Sequence, residues 1–464
     1  MKNKYIMHFA LFLILIPIIL LFSCIEVDMY LFIIMYSFLF MYFINYLFIK
    51  NIKSKKSMVL IIYGFVFQFM MIVWIYSNAV SLGSVDHPLL VLDRQLYHTI
   101  AVNFAQSSTP MDVLYKSGIN YIGYPLVLGI FYKLFFPNLI VGLMLSVSVG
   151  IFNAYMAARI AKLITNNNLV VFYTVLFFLI SPQMNSASTA LLKDIFIISA
   201  FLMIILAFLL YQRTYIKSAL TYFVMGFIIL ALFRLAMLPL IMGIAFFITS
   251  KKFALKQILL LVIIVIVSIL AFSYTAQFAK TAYVSNGLSG ILDTTKGFTE
   301  HMTFHSSSFT ERLVAGYDQW PLIKRILFIP VFTIVQYLTP FNFWTVDFAN
   351  PANLIKLNMQ TIWFFFLGPL TLFSLMNYKN INNLIIKKML LFGGFGYILI
   401  AFMNGGTLPR YAYPFYAILI IVVAYMYAQT KENTFFKKKF HNFYSLYLLG
   451  VALMGVFYFA IKLK

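Results

Sequence analysis

The sequence predicts an all-α, multispanning membrane protein, on three observations. The 464-residue chain is 63% hydrophobic and only 10% charged, with a mean hydropathy of +0.94, whereas a soluble domain carries about 25% charged residues. Apolar runs recur that are long enough to cross a hydrocarbon core of roughly 30 Å. The period-2 alternation of an outer-membrane barrel is absent. In lipid the backbone must bond within its own segment, which leaves helices.

Positive-inside counting then orders the elements. Lys2 and Lys4 precede a first span at 7–24, expected to be retained rather than cleaved because no small-residue site follows it. Glu26 and Asp28 mark an outer turn, and a second span at 29–49 returns to Lys50, Lys53, Lys55 and Lys56. A third span at 58–79 leads to a long polar stretch from about 80 to 138. Within that stretch, 121–136 is apolar but short and holds Lys133, so it is expected to lie along the outer interface. Spans follow at 139–161, 169–182, 195–212, 218–233, 235–250 and 257–275. A second outer stretch runs from about 277 to 358, with 322–340 re-entrant or interfacial. Spans at 359–376, 389–404, 411–428 and 442–461 complete a single membrane domain over 1–464, with about 12–14 spans in all.

This arrangement puts the N-terminus and most of the 34 basic residues on the cytoplasmic side, and only Glu432 of the 12 acids. Acids contribute little to orientation. Their gathering on the outer face therefore reflects either polar work there or simply the length of the outer loops.

Composition also excludes function classes. The net charge of +22 sits in short loops between apolar spans, so it orients the chain in a membrane and gives no nucleic-acid surface. Cys24 is the lone cysteine, which rules out an internal disulfide and a thiol metal cluster. No Walker loop, dinucleotide fingerprint or Gly-x-Ser-x-Gly elbow is present. His301 and His305 share helical spacing near Glu300 and Glu311, but the run Ser306-Ser307-Ser308 reads as loop, so no metal site is assigned.

The sharpest polar cluster lies in the first outer stretch: Asp86, His87, Asp93, Arg94, Tyr97 and His98. Residues 92–101 have helical spacing, which puts Asp93 and Tyr97 on one face with Ile100. A carboxylate held at the membrane interface is partly desolvated, which strengthens it as a proton acceptor. Asp93 is the first candidate base and Asp86 the second; the plain alternative is a solvated loop with Asp93 beside Arg94.

The run from Asp93 through Tyr97 to Ala101, followed by Gly123-Tyr124-Pro125-Leu126, resembles the GT-C membrane glycosyltransferases, including the protein-mannosyltransferase-like and aminoarabinose-transferase-like families. Leu191-Leu192-Lys193-Asp194 at a span entrance and Leu408-Pro409-Arg410-Tyr411-Ala412-Tyr413-Pro414 at a late span end are similar to further elements of that superfamily. The resemblance implies a loop acid acting on an acceptor hydroxyl and a polyprenyl-phosphate-linked sugar donor at the outer face of a bacterial inner membrane. The acceptor would be a glycan or lipid, in O-antigen or capsule assembly, with the repeat-unit polymerases as a close variant. Many relatives have a second acid directly after the first. Here Arg94 occupies that position, so a divalent metal is compatible with the resemblance but not assigned.

Charges at span ends are costly and mark candidate sites. Lys193 and Asp194 either pair with each other or serve the site, and Arg234 either snorkels to headgroups or binds a phosphate. Arg410 is a candidate phosphate fork, and Tyr411 adds contacts or anchors its helix in the aromatic belt. The rival reading is a lipid-linked oligosaccharide flippase or other secondary transporter. Transporters gather polar groups at the bilayer midplane, commonly within internal repeats, and neither is evident in this sequence.

Overall fold

The structure is a computed structural model that describes residues 2–21, 23, 25–81, 93–117, 122–234, 237–250, 320–338, 361–404 and 409–462. Asp86, His87, Cys24, Glu300, His301, His305, Glu311, the expected span 257–275 and most of 277–358 lie outside those residues.

Every regular element among the described residues is helical. In chain order they are α1 (Lys2–Leu21), α2 (Tyr30–Asn51), α3 (Lys55–Ser81), α4 (Asp93–Gln106), α5 (Pro110–Lys116), α6 (Gly123–Leu134), α7 (Leu139–Thr165), α8 (Asn168–Ile180), α9 (Pro182–Ser188), α10 (Asp194–Gln212), α11 (Ile216–Arg234) and α12 (Leu238–Thr249). Then come α13 (Leu322–Leu327), α14 (Ile329–Leu338), α15 (Gly368–Met376, entered through a π-helical turn), α16 (Leu384–Asn404), α17 (Tyr413–Glu432) and α18 (Thr434–Lys462).

Among the described residues, seven helices are long and apolar enough to cross a membrane, or eight if the bent pair α8–α9 is one span. The chain is thus a multi-pass α-helical membrane protein. The spans expected at 235–250 and 359–376 appear as shorter apolar helices, Leu240–Thr249 and Trp363–Met376. The span expected at 169–182 is α8, and a 61° bend joins it to α9, a short helix that the expectation did not include. Pro182 opens α9, where its missing N–H costs nothing, and the Ser181 hydroxyl caps the turn by accepting from the Met184 amide.

The bundle is built around α7, α8, α10 and α17, which pack on one another. The apolar window of α10 is 89% buried and that of α11 only 22%, so α10 is a core helix and α11 lines the perimeter. Start signals are local. Asn138 caps α7 and Asn167 caps α8, each side chain accepting the amide two residues on, at 3.0 and 2.7 Å. Asn166 closes α7 in the left-handed conformation, with φ 51°.

Buried polar side chains join the central helices. The Asn153 amide on α7 donates to the Ile195 carbonyl at 3.0 Å, fixing the first turn of α10, and Ser199 donates back to Asn153 at 2.6 Å. Gln68 on α3 donates to Asn185 on α9 at 2.8 Å, and Asn185 donates to the Leu179 carbonyl freed by the bend. At one end of the bundle lie Arg159 with Tyr222, Lys162 with Asn168, Asn167 with Glu432, and Lys388 with the Ser250 carbonyl. At the other end lie α4, α6 and the starts of α10 and α17.

α6 is 12 residues long, too short for an upright crossing, and packs on α4 and the end of α11. Gly123 is required at that crossing: a Cβ there would stand 2.5 Å from the Leu232 carbonyl oxygen. Gly129 likewise lets the Phe104 ring of α4 lie against α6, where a Cβ would meet Phe104 at 2.6 Å.

Candidate functional site

Three distant parts of the sequence supply the site, each through a helix start or end. The first is α4. Asp93 and Arg94 open it, with the acid in the first turn, where the helix dipole favours negative charge. One turn on, Tyr97 is buried and sets its ring edge-on to Tyr124 of α6 at 5.2 Å. Tyr124 packs in turn on Phe196 of α10 and Phe233 of α11, which stack on each other at 4.9 Å. His98 is buried next to Tyr97, and its Nδ1 is 2.8 Å from the Tyr132 hydroxyl on α6. The aromatic column and the imidazole contact together fix the rotation of α4, and with it the position of Asp93.

The second part is the α10–α11 hairpin. Asp194 begins α10 and Arg234 ends α11, with Arg234 Nη1 3.7 Å from Asp194 Oδ1. This partner for Asp194 lies 40 residues away in the chain. The third part is the turn before α17, where Arg410 donates from Nη2 to Asp93 Oδ2 at 3.0 Å. Tyr411 joins the two ion pairs, since the guanidinium carbon of Arg234 lies over its ring at 3.8 Å and that of Arg410 at 5.3 Å. Arg234 is thereby turned onto an aromatic face inside the protein, with 18% of its side chain exposed. Tyr411 offers its ring to two cations, a use that an aromatic-belt role does not require.

The two carboxylates differ in access. Asp194 is 4% exposed and Asp93 is 43% exposed, so of the two Asp93 is the one open to solvent. Asp93 is thus partly exposed and has a guanidinium as its partner. Cations crowd the site. Burial first, then repulsion by Arg234, pushes the Lys193 ammonium down to about 8, with Asp194 opposing. Burial and then the Arg410 charge lower Arg94 as well. Burial, reinforced by Asp93, raises the Tyr97 phenol, which stays neutral. Arg234 Nη1 and Arg410 Nε are buried N–H donors with no hydrogen-bond acceptor among the described residues.

Seven of the eight residues singled out from sequence thus meet at one end of the bundle: Asp93, Arg94, Tyr97, Asp194, Arg234, Arg410 and Tyr411. Asp86 lies outside the described residues. Two contributors were not assigned a role from sequence: Tyr124 supports Tyr97, and the His98–Tyr132 contact holds α4 on α6. Both sit on apolar helical faces, where nothing distinguishes a positioning residue from packing. Lys193, a candidate beside Asp194, adds a further cation. Among the described residues no three of His, Cys, Asp and Glu come together.

The arrangement can hold an anion against several guanidinium and ammonium groups while keeping one carboxylate accessible beside it. Comparison of the chain with known protein families, with curated proteins and with solved structures finds no match.

Proposed function

We propose that this protein is a membrane-embedded glycosyltransferase. It would move a sugar or oligosaccharide from a polyprenyl-phosphate- or diphosphate-linked donor at the outer face of a bacterial inner membrane, in surface polysaccharide assembly. Repeat-unit polymerisation is included in that reading. The observation that carries it is the accessible carboxylate of Asp93 held by Arg410 within a cationic cluster. A phosphate leaving group and an attacking hydroxyl need that combination side by side.

In this reading the donor phosphate sits on the arginines. The acceptor hydroxyl gives its proton to Asp93, and its oxygen bonds to the anomeric carbon. The carbon–oxygen bond to phosphate breaks, and the lipid phosphate leaves onto the guanidinium groups, which neutralise the charge that develops. Energy comes from the donor bond, so no nucleotide site is needed. Arg410 donates to Asp93 in this structure; a donor phosphate competes for the same guanidinium and frees the carboxylate.

One observation favours a transporter instead. The 61° break between α8 and α9 brings buried Asn185 against Gln68 of α3, and discontinuous helices line the substrate sites of transporters. Surface glycan and lipid-linked intermediates in a deletion strain separate the readings. Unpolymerised single repeats indicate a polymerase and a missing sugar indicates a transferase. Complete repeats trapped in the inner leaflet indicate a flippase. For the transferase, Asp93→Asn at normal protein level lowers product about 10²- to 10⁴-fold. Near-normal product would remove Asp93 from the mechanism.

A further inference from the structure

The last described helix, α18, carries a charge cluster far from the candidate site. It starts at the end of the bundle where several turns meet. There Asn383 donates to the Ile164 carbonyl at 3.2 Å, Arg213 to the Leu163 carbonyl, and Asn167 to Glu432 Oε1 at 2.9 Å. Among the described residues Glu432 is the acid at this end, and Asn167 holds it. From Lys431 to Lys439 the chain runs Lys-Glu-Asn-Thr-Phe-Phe-Lys-Lys-Lys, four cations to one acid, with no acid in the first turn of α18. Lys437, Lys438 and Lys439 are exposed. The Lys431 ammonium lies over the Tyr427 ring at 5.1 Å and that of Lys439 over Phe435 at 5.6 Å, contacts that leave the charges in place. Among the described residues no carboxylate is in ion-pair range of these four lysines.

The same helix sorts its faces. Phe436 is buried, and Phe440 and Phe443 set their rings on Phe373 of α15 at 5.1 and 5.6 Å. On the other side Lys438, Lys439, Asn442, Leu446, Leu449 and Leu453 recur at helical spacing and are exposed. That stripe is cationic at its start and apolar beyond. Lys439 and Leu449 are ten residues apart, about 15 Å along the helix, which is half of a hydrocarbon core of roughly 30 Å. A cationic start followed by one leaflet's depth of apolar surface complements the outline of an anionic phospholipid. A second copy of the chain fits the stripe less well, because a two-fold axis along the membrane normal would set its lysines against the same lysines of that copy.

We propose that this face of α18 binds an anionic phospholipid, with the phosphate among Lys437, Lys438 and Lys439 and an acyl chain along Leu446, Leu449 and Leu453. A lysine ammonium suits that ligand, because it meets a phosphate as a point charge on a flexible stem and needs no fixed fork. Clusters of about four to eight basic residues beside a membrane-embedded helix take anionic headgroups, and the attraction falls off within a Debye length. The positive end of the α18 dipole lies on the same side and adds to it. The assignment is independent of the transferase reading.

The test is fluorescence anisotropy on the full-length protein purified in a neutral detergent, titrated against NBD-labelled phosphatidylglycerol and NBD-labelled phosphatidylcholine. Phosphatidylglycerol should bind about 10- to 100-fold more tightly. A triple variant, Lys437→Gln with Lys438→Gln and Lys439→Gln, should elute as the unmutated protein does and bind the two lipids within about threefold of each other. A matched triple variant at the α2–α3 turn of the same end, Lys50→Gln with Lys53→Gln and Lys56→Gln, should keep the full preference. In the unmutated protein, raising salt from about 0.1 to 1 M should shrink the preference, because the screening length falls from roughly 10 to 3 Å. Equal affinity for the two lipids, or a preference that salt leaves unchanged, would overturn the assignment. An equal loss in both triple variants would overturn it in favour of a diffuse effect of the whole basic end. Dimer formation that the α18 variant strengthens, without any lipid preference, would give the face to a second copy.

Discussion

Removing the Asp194 charge should destabilise the protein far more than removing that of Asp93, although each acid pairs with one arginine. Asp194→Asn keeps the side-chain shape but leaves Arg234 facing a neutral amide, with the Lys193 charge next in the chain. Breaking a buried pair by removing one partner costs about 3–5 kcal/mol. Two features set the value within that range. Arg234 keeps its position over Tyr411 at 3.8 Å, a contact worth about 0.5–2 kcal/mol. It is also 18% exposed, so some water reaches it. Loss of the acid from the first turn of α10 adds back about 0.3–1 kcal/mol. The expected cost is therefore near the lower end, about 3 kcal/mol. Asp93 is 43% exposed, and an exposed pair is worth about 0.2–1 kcal/mol. The assay is the apparent melting temperature of each variant in one detergent, followed by size exclusion after heating. Asp194→Asn should fall well below the unmutated protein, Asp93→Asn should stay close to it, and Asp194→Asn with Arg234→Met should recover much of the loss by removing both charges. Equal small effects of the two single variants would refute the reasoning from burial.

Four further outcomes are expected. Arg410→Lys should insert normally but lose most glycan product, because an ammonium cannot reproduce the guanidinium fork; wild-type product would reduce Arg410 to a membrane anchor. Gly123→Ala should cost about 1–3 kcal/mol and lower folded yield, because its methyl meets the Leu232 backbone carbonyl; an unchanged melting temperature would count against the close α6–α11 crossing. Lys193 has been pushed down to about 8 from 10.5, so its charge is present below that pH and lost above it. Affinity for farnesyl methyl phosphate, a lipid phosphodiester, should therefore be flat from pH 6 to 7 and fall between about pH 7.5 and 9, and Lys193→Arg should move that fall out of the range; a flat profile for the unmutated protein would exclude Lys193. Cysteine at exposed Ser108, in a Cys24→Ser background, should react with an impermeant thiol reagent in intact spheroplasts; labelling only after lysis would invert the orientation.

Much of the site could be read from the sequence because charge is scarce in this chain. In a sequence with 10% charged residues, an Asp-Arg or Lys-Asp pair at the edge of an apolar run is conspicuous. Their pairing could not be read. Nothing local to Asp93 announces Arg410, and Lys193 is a nearer candidate for Asp194 than Arg234. Both pairings depend on which helix ends share a corner of the bundle, which is set by packing such as the Gly123 crossing and the Tyr124–Phe196–Phe233 column. Hydropathy placed the main spans, because length and apolarity are properties of one segment. It ended that span at 182 and left α9 out, because a seven-residue helix is too short for a sliding average, although Ser181 and Pro182 signal its start. The interfacial reading of 121–136 rests on Lys133 and on the sidedness of Arg159 and Lys162; the structure has a 12-residue helix there, packed on α4.

The contact between Asp93 and Arg410 joins residues 317 positions apart. The hairpin pair, Asp194 and Arg234, can form as soon as α11 has been synthesised. The contact at Asp93 has to wait until the ribosome has added the late turn before α17. For most of its synthesis, then, the acid at the start of α4 stands without the guanidinium that finally holds it. A chain stopped before residue 410 would hold half a site, able to attract an anion through Arg234 but without the guanidinium that positions the accessible carboxylate. The order of translation thus keeps the Asp93–Arg410 arrangement from being assembled until the membrane bundle is nearly complete.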